Sequence, residues 1–188
     1  MTMGVRSADL ATLQLEQFRH DCVAHKDILK LPFQGRLKHF TLHFAKYQGW
    51  LLRTLQFGNV ETTQRLITDS FIILLAAANT LDKKLQADRE SWSGSATTID
   101  CRQLILTYIE TVADMAKACE AFDNSEEFPS QIVLEDSIDH LVRVILDLAA
   151  VKSVDLLTSV PKRWDQVERR LSVNRNGAID RAQSTAVA

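Results

Sequence analysis

The sequence predicts an all-α protein, a bundle of five or six helices with four of them long. Three observations predict it. Apolar residues recur at steps of three and four over long stretches, the period at which one helix face is buried. Glycine and proline are scarce, with six and three residues in a chain of 188, which favours long helices over sheets joined by many tight turns. Hydrophobic residues make up 46% and charged residues 24%, an ordinary balance for a packed globular core.

The elements follow in chain order. Residues 9–30 read as a first helix, with Leu10, Leu13, Phe18 and Val23 loosely periodic, before Pro32 and Gly35 punctuate the chain. Residues 36–57 form a long helix in which Leu37, Phe40, Phe44, Tyr47, Leu51 and Leu55 mark one packed face. Gly58 and Asn59 end it. A second long helix covers 61–86. Its centre, FIILLAAAN, is apolar on nearly all sides, which places it in the middle of the bundle. Residues 88–98, DRESWSGSATT, read as a polar loop. A third long helix spans 99–122 with Thr98 as its cap, and DNSEEFPS follows as a loop. A fourth spans 131–153. A short helix then begins at Pro161, a residue suited to a first turn. Residues 1–172 are expected to form one domain, and the polar, patternless segment 173–188 a disordered tail.

Several function classes are disfavoured. The formal net charge is -2, and no basic stripe marks a nucleic-acid partner. Lys162, Arg163, Arg169 and Arg170 cluster, but Asp165 and Glu168 interrupt them. The longest apolar run, 71–78, is far too short to span a membrane. The N-terminus carries no basic region followed by an apolar core, so no secretory signal is expected. Cys22, Cys101 and Cys119 are widely spaced and show no zinc-binding pattern. They are expected to be reduced, largely buried thiols in a cytoplasmic protein. There is no Gly-rich phosphate loop, no GxSxG elbow and no Glu-x-x-His pair.

The two halves look alike. Segments 36–86 and 99–155 both read as helix, turn, apolar helix. Setting one on the other pairs Lys46 with Glu110, Trp50 with Asp114, Leu66 with Asp136, Asp69 with Asp139 and Leu85 with Asp155. Either the chain is a degenerate tandem repeat, or two helical hairpins stack by ordinary bundle packing.

The second half carries the acids. Glu110 and Asp114 are four apart and Asp136 and Asp139 three apart, so each pair emerges on one helix face. Glu135 lies beside the second pair. Antiparallel pairing of the two helices would bring the carboxylates together, and a cation would have to neutralise them. Magnesium, a hard ion that takes oxygen ligands, is the natural choice. The plain alternative is a solvated acidic face.

ETVADMAKACEAF and DSIDHLVRVILDLAAVKSVDL resemble the two metal-binding helices of the all-alpha nucleoside triphosphate pyrophosphohydrolases, the MazG-like superfamily. That family pairs a Glu-Glu-x-x-Glu helix with a Glu-x-x-Asp helix. Glu110 matches the first acid, Thr111 replaces the second, and Asp114 stands at the third. Asp136 and Asp139 match the second helix. LITDSFIILLAAANTL and KYQGWL resemble the same helices without their acids, keeping Asp69 and the small Gly49. The resemblance spans about 36–170. It implies magnesium-dependent hydrolysis of a nucleoside triphosphate to monophosphate and pyrophosphate, with water attacking at the alpha phosphorus. It also implies a homo-oligomer, most simply a dimer, or a fused repeat that imitates one.

On this reading Glu110, Asp114, Asp136 and Asp139 hold Mg2+. Glu135, His39, His43, Lys46, Lys162 and Arg163 are candidates to support the site or contact phosphate. His39, His43 and Lys46 share one helix face, although no HExxH pattern accompanies the histidines. Trp50, Trp92 and Trp164 offer rings for a base or for packing. Asn79 and Asp82 offer a polar site or a solvated helix end. The alternative function is a catalytically inactive helical scaffold or regulatory protein that binds a protein partner, for example a helix laid in an apolar groove.

Overall fold

The computed structural model describes residues 5–86, 100–124 and 126–185. Among them are α1 (Ser7–Ala24), α2 (Lys26–Leu29), α3 (Phe33–Phe57), α4 (Val60–Thr80), α5 (Cys101–Asn124), α6 (Ser130–Val151) and α7 (Leu156–Thr185). These residues contain no strand. The all-α bundle is as expected, with the short α2 as an added element.

Helices α3 and α4 form one hairpin, and α5 and α6 another. The hairpins stack with α3 on α5 and α4 on α6, while α1 and α7 lie across α4. Helix α4 therefore touches α1, α3, α6 and α7. That environment explains its nearly all-round apolar centre. Phe71, Leu74, Leu75, Ala77 and Ala78 have 0% exposure, and the alanines let neighbouring helices approach closely. One continuous core runs from Leu10 of α1 to Trp164 of α7.

The ends of the elements depart from the sequence expectation for local reasons. The first helix breaks at His25 (φ -126°, ψ 41°) and resumes as α2. Helix α4 stops at Thr80, short of 86, because Asp82 takes a left-handed conformation (φ 53°). Asp82 N–H then donates to Asn79 O and Lys83 N–H to Ala78 O, the paired bonds of a Schellman cap. Helix α6 ends the same way, with Ser153 left-handed (φ 53°), Ser153 N–H donating to Ala150 O and Val154 N–H to Ala149 O. The two hairpins thus share a terminator as well as a hydrophobic pattern.

Helix starts also shift. Asn59 caps α4 by accepting from Thr62 N–H at 2.8 Å. Asp100 accepts from Arg102 N–H at the start of α5. The predicted cap Thr98, the predicted loop 88–98 and Trp92 lie outside the described residues. Helix α7 starts at Leu156, not Pro161, because Asp155 caps it through Thr158 N–H and Oγ1. Pro161 is consequently interior to the helix. Where the composition predicts a disordered tail from 173, the backbone stays helical to Thr185. Extending a docked helix needs only propagation, not a fresh nucleus.

Two burial expectations fail. Phe18 and Val23 are exposed, at 51% and 55%. The inward stripe of α1 is instead Leu10, Leu13, Gln17, His20, Asp21 and Ala24, at helical spacing but polar in its second half. Among the cysteines only Cys119 is buried; Cys22 points outward and Cys101 is intermediate.

Candidate functional site

Glu110 and Asp114 are exposed on α5, Asp136 is exposed on α6, and Glu135 and Asp139 are intermediate. Asp139 pairs with Lys83 at 3.0 Å. Glu135 accepts from Gln131 Nε2 at 2.9 Å. Thr111 is buried and donates to Thr107 O in its own helix. No three of Glu110, Asp114, Asp136 and Asp139 bring ligand oxygens within 4.8 Å of one another. Magnesium, with oxygens at about 2.0–2.1 Å, needs its ligands closer than that. The donors are of the right chemical kind, but in this conformation they do not make a closed magnesium site.

The first-half counterparts have different surroundings. Leu66 is buried at 1% exposure. Lys46 lies 4.6 Å from the Tyr47 ring centroid and 5.4 Å from that of Trp50. Asp69, set against Asp139 in the repeat, accepts from Arg163 Nε at 2.6 Å and Nη2 at 3.1 Å. That hydrogen bond holds the Arg163 guanidinium still more firmly in its charged form, with Nε and Nη2 both engaged by Asp69. Lys162 is exposed beside it. So the two aspartates at matching positions are each neutralised by a basic side chain of the protein itself. Asn79 bonds Gln14 through both its amide nitrogen and its oxygen, while Asp82 serves the α4 terminator.

The structure gathers polar groups elsewhere. Helices α1 to α4 enclose a cleft of about 300 Å³. Phe18, Ile28, Phe40, Ile72, Ile73 and Ala76 line it with apolar surface, and Asp21, His25, Asp27, Arg36, His39 and His43 border it. Cleft volumes of this order suit a small ligand. His39 and His43, one turn apart on α3, place their ring centroids 4.6 Å apart. Burial first, then Lys46 and the neighbouring histidines, pushes His43 down to about 4. Burial also lowers His39. The His43 ring is therefore neutral at pH 7, and Lys46 Nζ lies 3.2 Å from its Nδ1. The Arg36 Nε is buried without a hydrogen-bond partner.

The chain matches no protein family, and no curated protein or solved structure is similar to it.

Sequence reasoning picked out His39 and His43 by their shared face. It passed over His20, Asp21, His25 and Arg36. The available signal was the stripe at 10, 13, 17, 20 and 24, which keeps core spacing while its residues turn polar. Trp164 donates from Nε1 to Gln17 Oε1 at 2.7 Å and stacks on His20, so it packs against this stripe. Among the described residues no helix is long and apolar enough to cross a membrane.

Proposed function

We propose that the chain binds a small, partly apolar anion in the cleft between α1 and α4. Arg36 is the observation that carries this reading. It borders a mainly apolar cleft, its Nε is buried and unpartnered, and no acid among the described residues pairs with it. Of the two nearby carboxylates, Asp21 accepts from Gln17 Nε2 at 2.7 Å and Asp27 is exposed. A guanidinium offers a planar fork that fits a carboxylate or phosphate. The neutral His43 ring adds a hydrogen-bonding edge, and the apolar walls take the ligand's body.

Calorimetry against nucleoside monophosphates, nucleoside triphosphates and aromatic carboxylates tests the reading. A binder is expected, and Arg36→Met should weaken it by about tenfold or more, the scale of one charge-assisted hydrogen bond. Equal affinity in Arg36→Met, or no binding by any of these anions, overturns the proposal.

A second reading is the magnesium-dependent pyrophosphohydrolase that the resemblance implies. One observation favours it. Glu110, Asp114 and Asp136 are exposed on the paired helices α5 and α6, and none has an ion-pair or hydrogen-bond partner among the described residues. Asp139 would have to leave Lys83 to join them. Pyrophosphate release from the same triphosphates with magnesium, lost in both D114A and D139A with the fold intact, would support it. Wild-type reactions without pyrophosphate would favour a silent scaffold or regulatory protein. The implied self-association is read by light scattering, where a constant monomer mass across concentrations removes it.

A further inference from the structure

The corner where α1 turns into α2 gathers side chains that neither reading uses. His20, Asp21 and His25 each place one ligand atom within 4.8 Å of the others. Asp21 and His25 lie one helical turn apart, and His20 directly precedes Asp21. The break at His25 brings them together, with His25 N–H still donating to Asp21 O at 3.0 Å while its backbone leaves the helix.

His20 is the second observation. Its side chain is 5% exposed, and neither ring nitrogen has a hydrogen-bond partner. Nδ1 lies 3.9 Å from Asp21 Oδ1 and Nε2 lies 3.8 Å from Glu168 Oε1. Both separations are too long for hydrogen bonds. A buried imidazole left in this way pays for desolvation without compensation unless another species bonds to it.

The neighbours hold this group in place. Trp164 Nε1 donates to Gln17 Oε1, and Gln17 Nε2 donates to Asp21 Oδ1, each at 2.7 Å. The Trp164 ring stacks on His20 with centroids 5.8 Å apart and planes 24° apart. Asp21 is thus oriented by a relay from α7, and its Oδ2 makes no hydrogen bond or ion pair among the described residues. Such outer hydrogen bonds fix the orientation of ligands at metal sites.

We propose that His20, Asp21 and His25 bind a first-row transition-metal ion, zinc by the character of the donors. Two imidazoles and one carboxylate match zinc chemistry, whereas magnesium and calcium favour oxygen ligands throughout. His20 Nδ1, on the Asp21 side, is the ligand atom. Nε2 then faces the Glu168 carboxylate, which sets the ring's tautomer. Three protein ligands leave a fourth tetrahedral position for water or an incoming donor. Asp21 and His25 also border the cleft, so the ion sits at its edge. The inference stands whether or not an anion binds there.

The test is zinc titration of the untagged, chelator-stripped full chain, followed by calorimetry and by competition with a chromogenic chelator. One ion per chain is expected. Cobalt(II) in place of zinc should give visible absorption bands of a low-coordinate nitrogen and oxygen site. His25→Ala, at a half-buried position, should weaken zinc by about tenfold or more, and Gln17→Ala by about tenfold through loss of the Asp21 hydrogen bond. His20→Ala should do the same with its helical circular dichroism intact. His140→Ala, at an exposed position on α6, should bind zinc as the wild type does. Absence of a stoichiometric ion from the folded wild type, or equal affinity in His25→Ala and His20→Ala, overturns the proposal. So do His20 ring resonances that zinc leaves unmoved in NMR spectra.

Discussion

His43 shows how the fold acts on one residue. Burial, with Lys46 and His39 beside it, lowers its value from 6.5 to about 4. In the unfolded chain the ring takes its proton near 6.5, and in the folded chain only near 4. Between those values the unfolded state holds more protons, so stability rises with pH. The His43 contribution is complete above pH 6.5 and is lost as pH falls toward 4. His43→Gln should therefore lose less stability than wild type between pH 6.5 and 4 in a series of urea melts. Parallel curves for the two proteins would show that the ring is not sheltered. His39 is shifted in the same direction by burial and contributes with the same sign. Neither effect is readable from the sequence, where a histidine pair on one helix face fits a ligand site, a buried core or a solvated surface equally well.

Asp82 and Ser153 both hold a left-handed backbone at the ends of α4 and α6, with φ 53° in each. An L side chain there costs free energy that glycine avoids. Ser153→Gly should raise unfolding stability by about 0.5–1 kcal/mol. Gly58 is the mirror case at the end of α3, with φ 69° and nothing within 4 Å of an added Cβ. Gly58→Ala should lower stability by about 1 kcal/mol through backbone strain alone. Chemical denaturation of both variants checks the pair, and equal stability in both would show that these ends relax. The terminators also explain a limit of the sequence reading. Apolar spacing continues past Thr80 through Leu81 and Leu85, so periodicity alone extends the helix. Leu85 is indeed buried, at 3% exposure, but it reaches the core from the non-helical segment after α4. The Asp155 cap tells the same story, since Pro161 is the more conspicuous helix-start signal and the quieter Asp-Leu-Leu-Thr sequence wins.

For the whole molecule, α4 is the axis on which α1, α3, α6 and α7 are assembled. Its side chains should dominate stability. Leu74, with 0% exposure, should cost about 2–5 kcal/mol when cut to alanine. Leu42, 70% exposed on α3, should change stability by no more than about 0.5 kcal/mol. Urea melts of the two variants compare them directly, and similar losses would place α4 outside the centre of the core. The buried ion pair between Asp69 and Arg163 ties α7 to this axis, and Trp164 ties α7 to α1 through Gln17.

The sequence by itself determined the helical class, the two hairpins and the central place of FIILLAAAN, because these follow from spacing within one segment. Helical periodicity is local, and an apolar face must find cover whatever the topology. Tertiary structure decided the rest. It decided that Asp69 meets Arg163 and that Asp139 meets Lys83, partners far away along the chain. It turned the polar half of the α1 stripe inward, against α7, and it closed a cleft from four separate elements around Arg36 and His43. Whether an acid faces a cation, water or another acid depends on which segments the fold brings opposite it, and no spacing within a single helix carries that information.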